Sequence, residues 1–161
     1  MGHSSACVAS RRPPPCRGTF ARARFAGMKR AINPGELCKP SGFQHGWLVE
    51  SGGGARTLYL AGQCDYDQAG AVRCRGDLAS QVRGAMENIG FVLRDAGMAF
   101  DDVVQLNFYV RSRDDYATAR REIGAAWKQL CGRHYPAMAL FMVMSLLDPD
   151  ALVEIQGIAA Q

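Results

Sequence analysis

Apolar residues recur along this chain with two different periods. Leu78, Val82, Met86, Ile89, Leu93 and Ala96 fall at three- and four-residue spacing, the period of one helix face, with Asp77 placed to cap the start and Gly97 after the last turn. Tyr116, Ala119, Ile123, Trp127 and Leu130 repeat the pattern, with Ser112 or Asp114 as the cap. Shorter apolar runs predict strands over Phe43 to Glu50, Arg56 to Ala61, Val103 to Arg111, Met138 to Leu147 and Ala151 to Ala159. Ser51-Gly52-Gly53-Gly54 joins the first two as a hairpin, a turn-rich excursion spans Asp65 to Arg75, and Asp148-Pro149-Asp150 separates the last two.

Strands interrupted by two helices predict an α+β fold, a mixed β-sheet covered on one face by two α-helices. In the fourth predicted strand, Met138, Leu140, Met142, Met144 and Leu146 alternate with Ala139, Phe141, Val143 and Ser145, so both faces are largely apolar. Two helices cover one face of a sheet, so the other needs a neighbouring subunit, and homo-oligomerisation is expected.

Composition changes the picture mainly at the N-terminus. Among the 161 residues the formal net charge is +4, yet the first thirty hold Arg11, Arg12, Arg17, Arg22, Arg24, Lys29 and Arg30 and no acid. Residues 1–30 are therefore set apart as a disordered or mis-assigned leader, and 31–161 as one domain of about −3 net charge. Three readings of the leader stay open: an upstream start with Met28 the true initiator, an organelle transit peptide, or a basic arm. A mildly acidic domain offers no footprint for nucleic acid, and no apolar run reaches the ~20 residues that span a bilayer. The six cysteines form no CxxC pair and no zinc-like spacing with histidine, so reduced thiols, a cytoplasmic location and no metal are expected.

In order and near-correct spacing, NPGELCKPSGFQHG, LYLAGQ, DLASQVRGAMENIGFVLRDAGMAFDDVVQLNFYV, YPA and LVEIQGIA resemble the YjgF/RidA (Rid) family, also called L-PSP endoribonuclease-like. The resemblance covers about 130 residues from Asn33-Pro34 onward. It implies a homotrimer of chorismate mutase-like architecture, with small-molecule clefts between subunits and no cofactor. It also implies hydrolysis of reactive imines or enamines to a keto acid and ammonia. In active members an Arg of a PAR segment holds the ligand carboxylate and a Glu of the last strand positions water.

Here Met138 stands at the Arg position and Phe43 at a family Tyr, so the planar cation and a phenol are both missing. Glu154 is kept, within the otherwise apolar run Ala151 to Ile155, where partial burial raises a carboxyl pKa and suits it to proton transfer. It is the candidate catalytic residue, against the alternative of a solvated or ion-paired acid. Phe43, His45, Gly62, Gln63 and Met138 are the candidate ligand-binding residues. His45 is read either as a proton donor or as a structural histidine, Gly62 as a close backbone approach or an ordinary strand end, and Asn88 as structural. Arg133 and His134 could swing a cation toward the cleft. The functions weighed are an imine or enamine deaminase, a non-catalytic metabolite-binding trimer and, disfavoured by the acidic domain, an endoribonuclease.

Overall fold

The computed structural model describes residues 27–161. Residues 1–26 of the expected leader, and with them its three readings, lie outside the described residues. Six strands make one mixed sheet: β1 (Met28–Ile32), β2 (Gly46–Glu50), β3 (Arg56–Gln63), β4 (Val103–Val110), β5 (Ala137–Met142) and β6 (Val153–Ala160). Their spatial order is β1-β2-β3-β6-β4-β5. All neighbours are antiparallel except β4 and β5, which run parallel around an intervening helix.

The two helices are α1 (Leu78–Asp95) and α2 (Arg113–Cys131). The Asp77 side chain accepts from the Ser80 N–H at the start of α1, and Ser112 rather than Asp114 caps α2 by accepting from the Asp115 N–H. Gly97, at φ 69°, turns the chain after α1 in the left-handed region. Both helices lie over one face, where Val82, Met86, Ile89 and Trp127 join Leu58, Leu60, Leu106, Phe108, Val153 and Ile155 in one core. Each such side chain, fully buried, contributes roughly 1.5–3 kcal/mol.

Strand β6 alternates cleanly. Val153, Ile155, Gly157 and Ala159 are buried under the helices, while Glu154, Gln156 and Ile158 lie on the helix-free face. That open face also carries Trp47 and Tyr59, a directly opposed pair of exposed aromatics.

Three departures from the sequence pattern have physical causes. First, β1 has no apolar alternation of its own: Met28, Lys29 and Arg30 are exposed and only Ile32 is fully buried, yet the strand pairs with β2 from end to end. The expected domain boundary at residue 30 therefore falls within a strand. Second, β2 starts at Gly46, not Phe43: the His45 carbonyl still accepts from the Ala61 N–H of β3, but the His45 N–H donates to the Asn33 side chain at 3.0 Å. Third, the strand expected over Met138 to Leu147 stops at Met142, since its parallel partner β4 ends at Val110 opposite. Met144 and Leu147 beyond it are fully exposed.

Candidate active site

A bulge in β3 builds the site. Leu60 pairs with Gly157 of β6, but three residues later Gln63 pairs with Ile155, so the strand carries one extra residue across two partner positions. Gly62 sits in this irregular stretch with the Glu154 side chain lying against its α-carbon, where a β-carbon would overlap the carboxylate. Any larger residue here would displace the Glu154 carboxylate; the close approach expected of Gly62 toward a ligand is a different contact. Glu154 is opposed across β6 and β4 by Tyr109, whose hydroxyl accepts from the Gln156 side chain at 2.8 Å and whose ring stacks on Phe141.

Burial raises the Glu154 pKa above the usual carboxylate range, since the half-buried carboxyl loses water that would stabilise its charge. Among the described residues no ion pair joins this acid. Beside it, burial, then the negative fields of Glu154 and Asp148, push the Cys64 thiol up to about 12. Tyr66 is raised as well, first by burial and then by Cys64, with which it shares a side-chain hydrogen bond. Cys64, Val72 and Ala151 form a small second core with Tyr66 and Leu146 against it.

Two buried polar residues of α1 fix this end of the sheet. Asn88 donates to the carbonyls of Cys64 at 2.9 Å and Tyr66 at 3.1 Å, which places the loop after β3. Gln81 donates to the carbonyls of Cys74 and Asp150 and accepts from the Leu152 N–H, which places the entry to β6. Asp65, 1% exposed, takes Arg73 and the Cys74 N–H and closes the same loop.

The candidate binding residues divide into three places. His45 and Gln63 are buried together, the Gln63 amide 3.4 Å from His45 Nδ1, and Phe43 meets the imidazole edge to face at 5.2 Å. The His45 Nε2–H donates to the Cys38 carbonyl at 2.8 Å, so Nδ1 is the acceptor for Gln63 and both ring nitrogens are engaged. Gly62 and Glu154 form the second place, joined to the first through the β3 bulge. Met138 is elsewhere: it pairs with Leu106, whose side chain lies under the helices, whereas Tyr109 and Glu154 share the helix-free face. Within one protomer Met138 and Glu154 therefore lie on opposite faces of the sheet.

Met138 instead lines a groove of about 330 Å³ between α2 and β5, with Phe108, Trp127 and Leu140. His134 is tied to the Val103 carbonyl through Nε2 at 2.7 Å, and its own carbonyl accepts from the Trp127 indole. It is thus held against β4 and the α2 end. Cys64, Tyr66, Asp148 and Tyr109 join Glu154 only in three dimensions; the Glu154–Tyr109 register was the one signal that strand pairing in the sequence could have supplied.

Fold and site together define a small α+β protein with a half-buried acid at the bulged end of its sheet. The chain belongs to the YjgF/RidA family: the family model described as Endoribonuclease L-PSP matches residues 49–161. A RutC family protein of Pyrococcus horikoshii is 30% identical over 132 residues, covering 82% of this chain and 98% of that protein. The 2-iminobutanoate/2-iminopropanoate deaminase of Bos taurus is 32% identical over 106 residues, 66% of this chain and 74% of that protein. Among solved structures, the Escherichia coli YjgF gene product superposes with a TM-score of 0.68 at 23% identity, covering 82% of this chain and 98% of that one. Escherichia coli TdcF with bound serine gives 0.68 at 21%, with the same coverage. At those identities the superpositions establish the fold. No helix among the described residues is long and apolar enough to cross a membrane.

Proposed function

We propose that this chain is a homotrimeric deaminase of small imines or enamines derived from amino acids, acting in clefts between subunits. The observation that carries the reading is Glu154: a half-buried carboxyl with a raised pKa, no ion-pair partner among the described residues, and a glycine backbone against it. Such an acid takes a proton from water as the water oxygen adds to the imine carbon and passes it to nitrogen, giving a carbinolamine; it then carries the hydroxyl proton to nitrogen as the C=O bond forms and the C–N bond breaks. The products are a carbonyl compound and ammonia, and no oxidant or reductant is needed. The deaminases among the relatives supply the substrate class, and the serine bound to TdcF supplies a ligand size for the fold.

In this reading Phe43, Gly62 and Gln63 come from the Glu154 side of the cleft and Met138 from the neighbouring subunit, because one sheet separates them within a protomer. The exposed Met138, Leu140, Phe141 and Met142 of β5 support a subunit contact there. His45 braces Gln63 and Phe43 and is not the proton donor, since both its nitrogens are used. A cytoplasmic location goes with the free thiols at Cys38, Cys64, Cys74 and Cys131.

Ammonia release from 2-iminobutanoate generated in situ, compared between the wild type and Glu154→Gln, tests the chemistry. A fall of about a hundredfold or more in the variant is expected, and equal rates would remove Glu154 from the mechanism. A second reading, binding without turnover, is favoured by Met138 where the family resemblance puts a cation. Under it neither protein releases ammonia above background, while metabolites still raise the melting temperature.

A further inference from the structure

Tyr109 carries a polar atom that the chemistry at Glu154 leaves unused. It stands directly opposite Glu154 across β4 and β6 on the helix-free face, and on its other side it pairs with Phe141, against whose ring it stacks at 5.5 Å between centroids. The Gln156 amide donates to the phenol oxygen at 2.8 Å, so the phenol hydrogen points elsewhere, and among the described residues it has no acceptor. A hydrogen bond received at the oxygen polarises the O–H and makes it the better donor. Gln156 follows Glu154 by two residues, which sets the amide and the acid roughly 7 Å apart along β6. A water on the carboxylate, the carbon it attacks and a carbonyl group one bond further on fill that span, and the carbonyl oxygen then comes within reach of the Tyr109 hydrogen.

The charge at this end of the sheet is negative. Arg73 is taken by Asp65 and Arg75 by Asp150, while Arg111, two residues after Tyr109, donates to the Pro149 carbonyl at 2.6 Å. Cys64 feels the same polarity: its thiol is held protonated by burial first, and the charges of Glu154, Asp148 and Asp65 add to it. A ligand carboxylate beside Glu154 would meet like charge with no committed cation to offset it. A neutral carbonyl there would meet a donor and no repulsion.

We infer that Tyr109 is the second polar contact of the Glu154 site, its O–H donating to a neutral carbonyl oxygen one bond from the reacting carbon, so that the site takes imines of amino-acid amides and esters in preference to those of free amino acids. This rests on the deaminase reading of Glu154 and narrows its substrate class. Tyr109 transfers no proton. It holds ground state and transition state alike, so its loss falls on KM more than on kcat.

NMR titration of the full chain with three stable ketones tests the contact apart from turnover: 2-oxobutanamide carries the neutral carbonyl, 2-oxobutanoate a carboxylate, and 2-butanone neither. The amide is expected to bind about tenfold more tightly than 2-butanone, and more tightly than the acid. Tyr109→Phe, which keeps the ring and its stacking, should bring the amide down to the 2-butanone level and leave 2-butanone unchanged. Glu154→Gln should tighten the acid at alkaline pH and leave the amide as it was, since only the acid is repelled. With the amide-derived imine generated in situ, Tyr109→Phe should raise KM about tenfold and change kcat by less than about threefold. Amide binding untouched by Tyr109→Phe, all three ketones weakened together, an acid that binds the wild type more tightly than the amide, or no measurable amide binding would each overturn the assignment. Equal ammonia release from wild type and Glu154→Gln would remove the deaminase reading with the titrations unaffected. A failed titration with that release lost would remove only the Tyr109 contact.

Discussion

Strands β5 and β6 both flank β4, and their sequences misrepresent how deeply each is buried. The β6 stretch VEIQGIAA is interrupted by polar residues, yet every second side chain from Val153 to Ala159 is inaccessible under the helices. The β5 stretch AMALFM has no polar residue, yet Met138 is 50% exposed and Phe141 47%. Position explains the contrast. β6 lies between β3 and β4 at the centre of the sheet, while β5 is the outer strand, past the edge of what α2 covers. Alternation reports burial within the chain, whereas an unbroken apolar strand at an edge reports a surface to be covered from outside it.

The largest test of the contrast is in β6. Ile155→Ala removes a fully buried side chain between α1 and β3 and should lower unfolding free energy by about 3–4 kcal/mol in urea denaturation. Next comes the anchoring of that strand: Gln81→Leu strands the Leu152 N–H and the carbonyls of Cys74 and Asp150, for an expected loss of about 2–3 kcal/mol by the same assay. In β5, Phe141→Lys combined with Met142→Lys, one change on each face, should cost a protomer under about 1 kcal/mol. If β5 is the contact of the proposed trimer, the same pair should give monomers in sedimentation where the wild type gives an oligomer; an unchanged oligomeric mass would mean that β5 is not the contact.

The smallest effect is a pH dependence at Glu154. Its folded-state pKa is raised by burial, so between the ordinary carboxylate value and the folded value the native protein holds more protons than the unfolded chain. Stability from this group is complete in acid and is lost as pH rises through the folded value. Glu154→Gln, which carries no charge, should therefore gain stability relative to the wild type as pH rises above the ordinary carboxylate range of about 4. A constant difference across that range would place the carboxyl in open water.

Much of this was legible beforehand, for reasons that differ by element. The helices were readable because 3.6-residue spacing over five turns leaves few alternatives, and Asp77 and Ser112 cap them where short polar side chains do best. The strand β1 was not, because MKRAI buries one side chain and owes its place to pairing with β2. Glu154 stood out as an acid among apolar neighbours. Its company did not: Cys64, Tyr66 and Asp148 reach it through the β3 bulge and the loops that Asn88 and Gln81 tie down. Alternation likewise gave no hint that Met138 and Glu154 would fall on opposite faces, since that depends on the register of two separate pairings with β4.

The thiol beside Glu154 has a consequence for chemical durability. With its pKa pushed up to about 12, Cys64 carries a negligible share of the anionic sulfur that attacks electrophiles or is oxidised by peroxide. Packed in the small core with Val72 and Ala151, the sulfur is also 5% exposed, so access and ionisation both work against its modification. Burial does most of this, and the charge of Glu154 adds to it by disfavouring a second negative charge on sulfur.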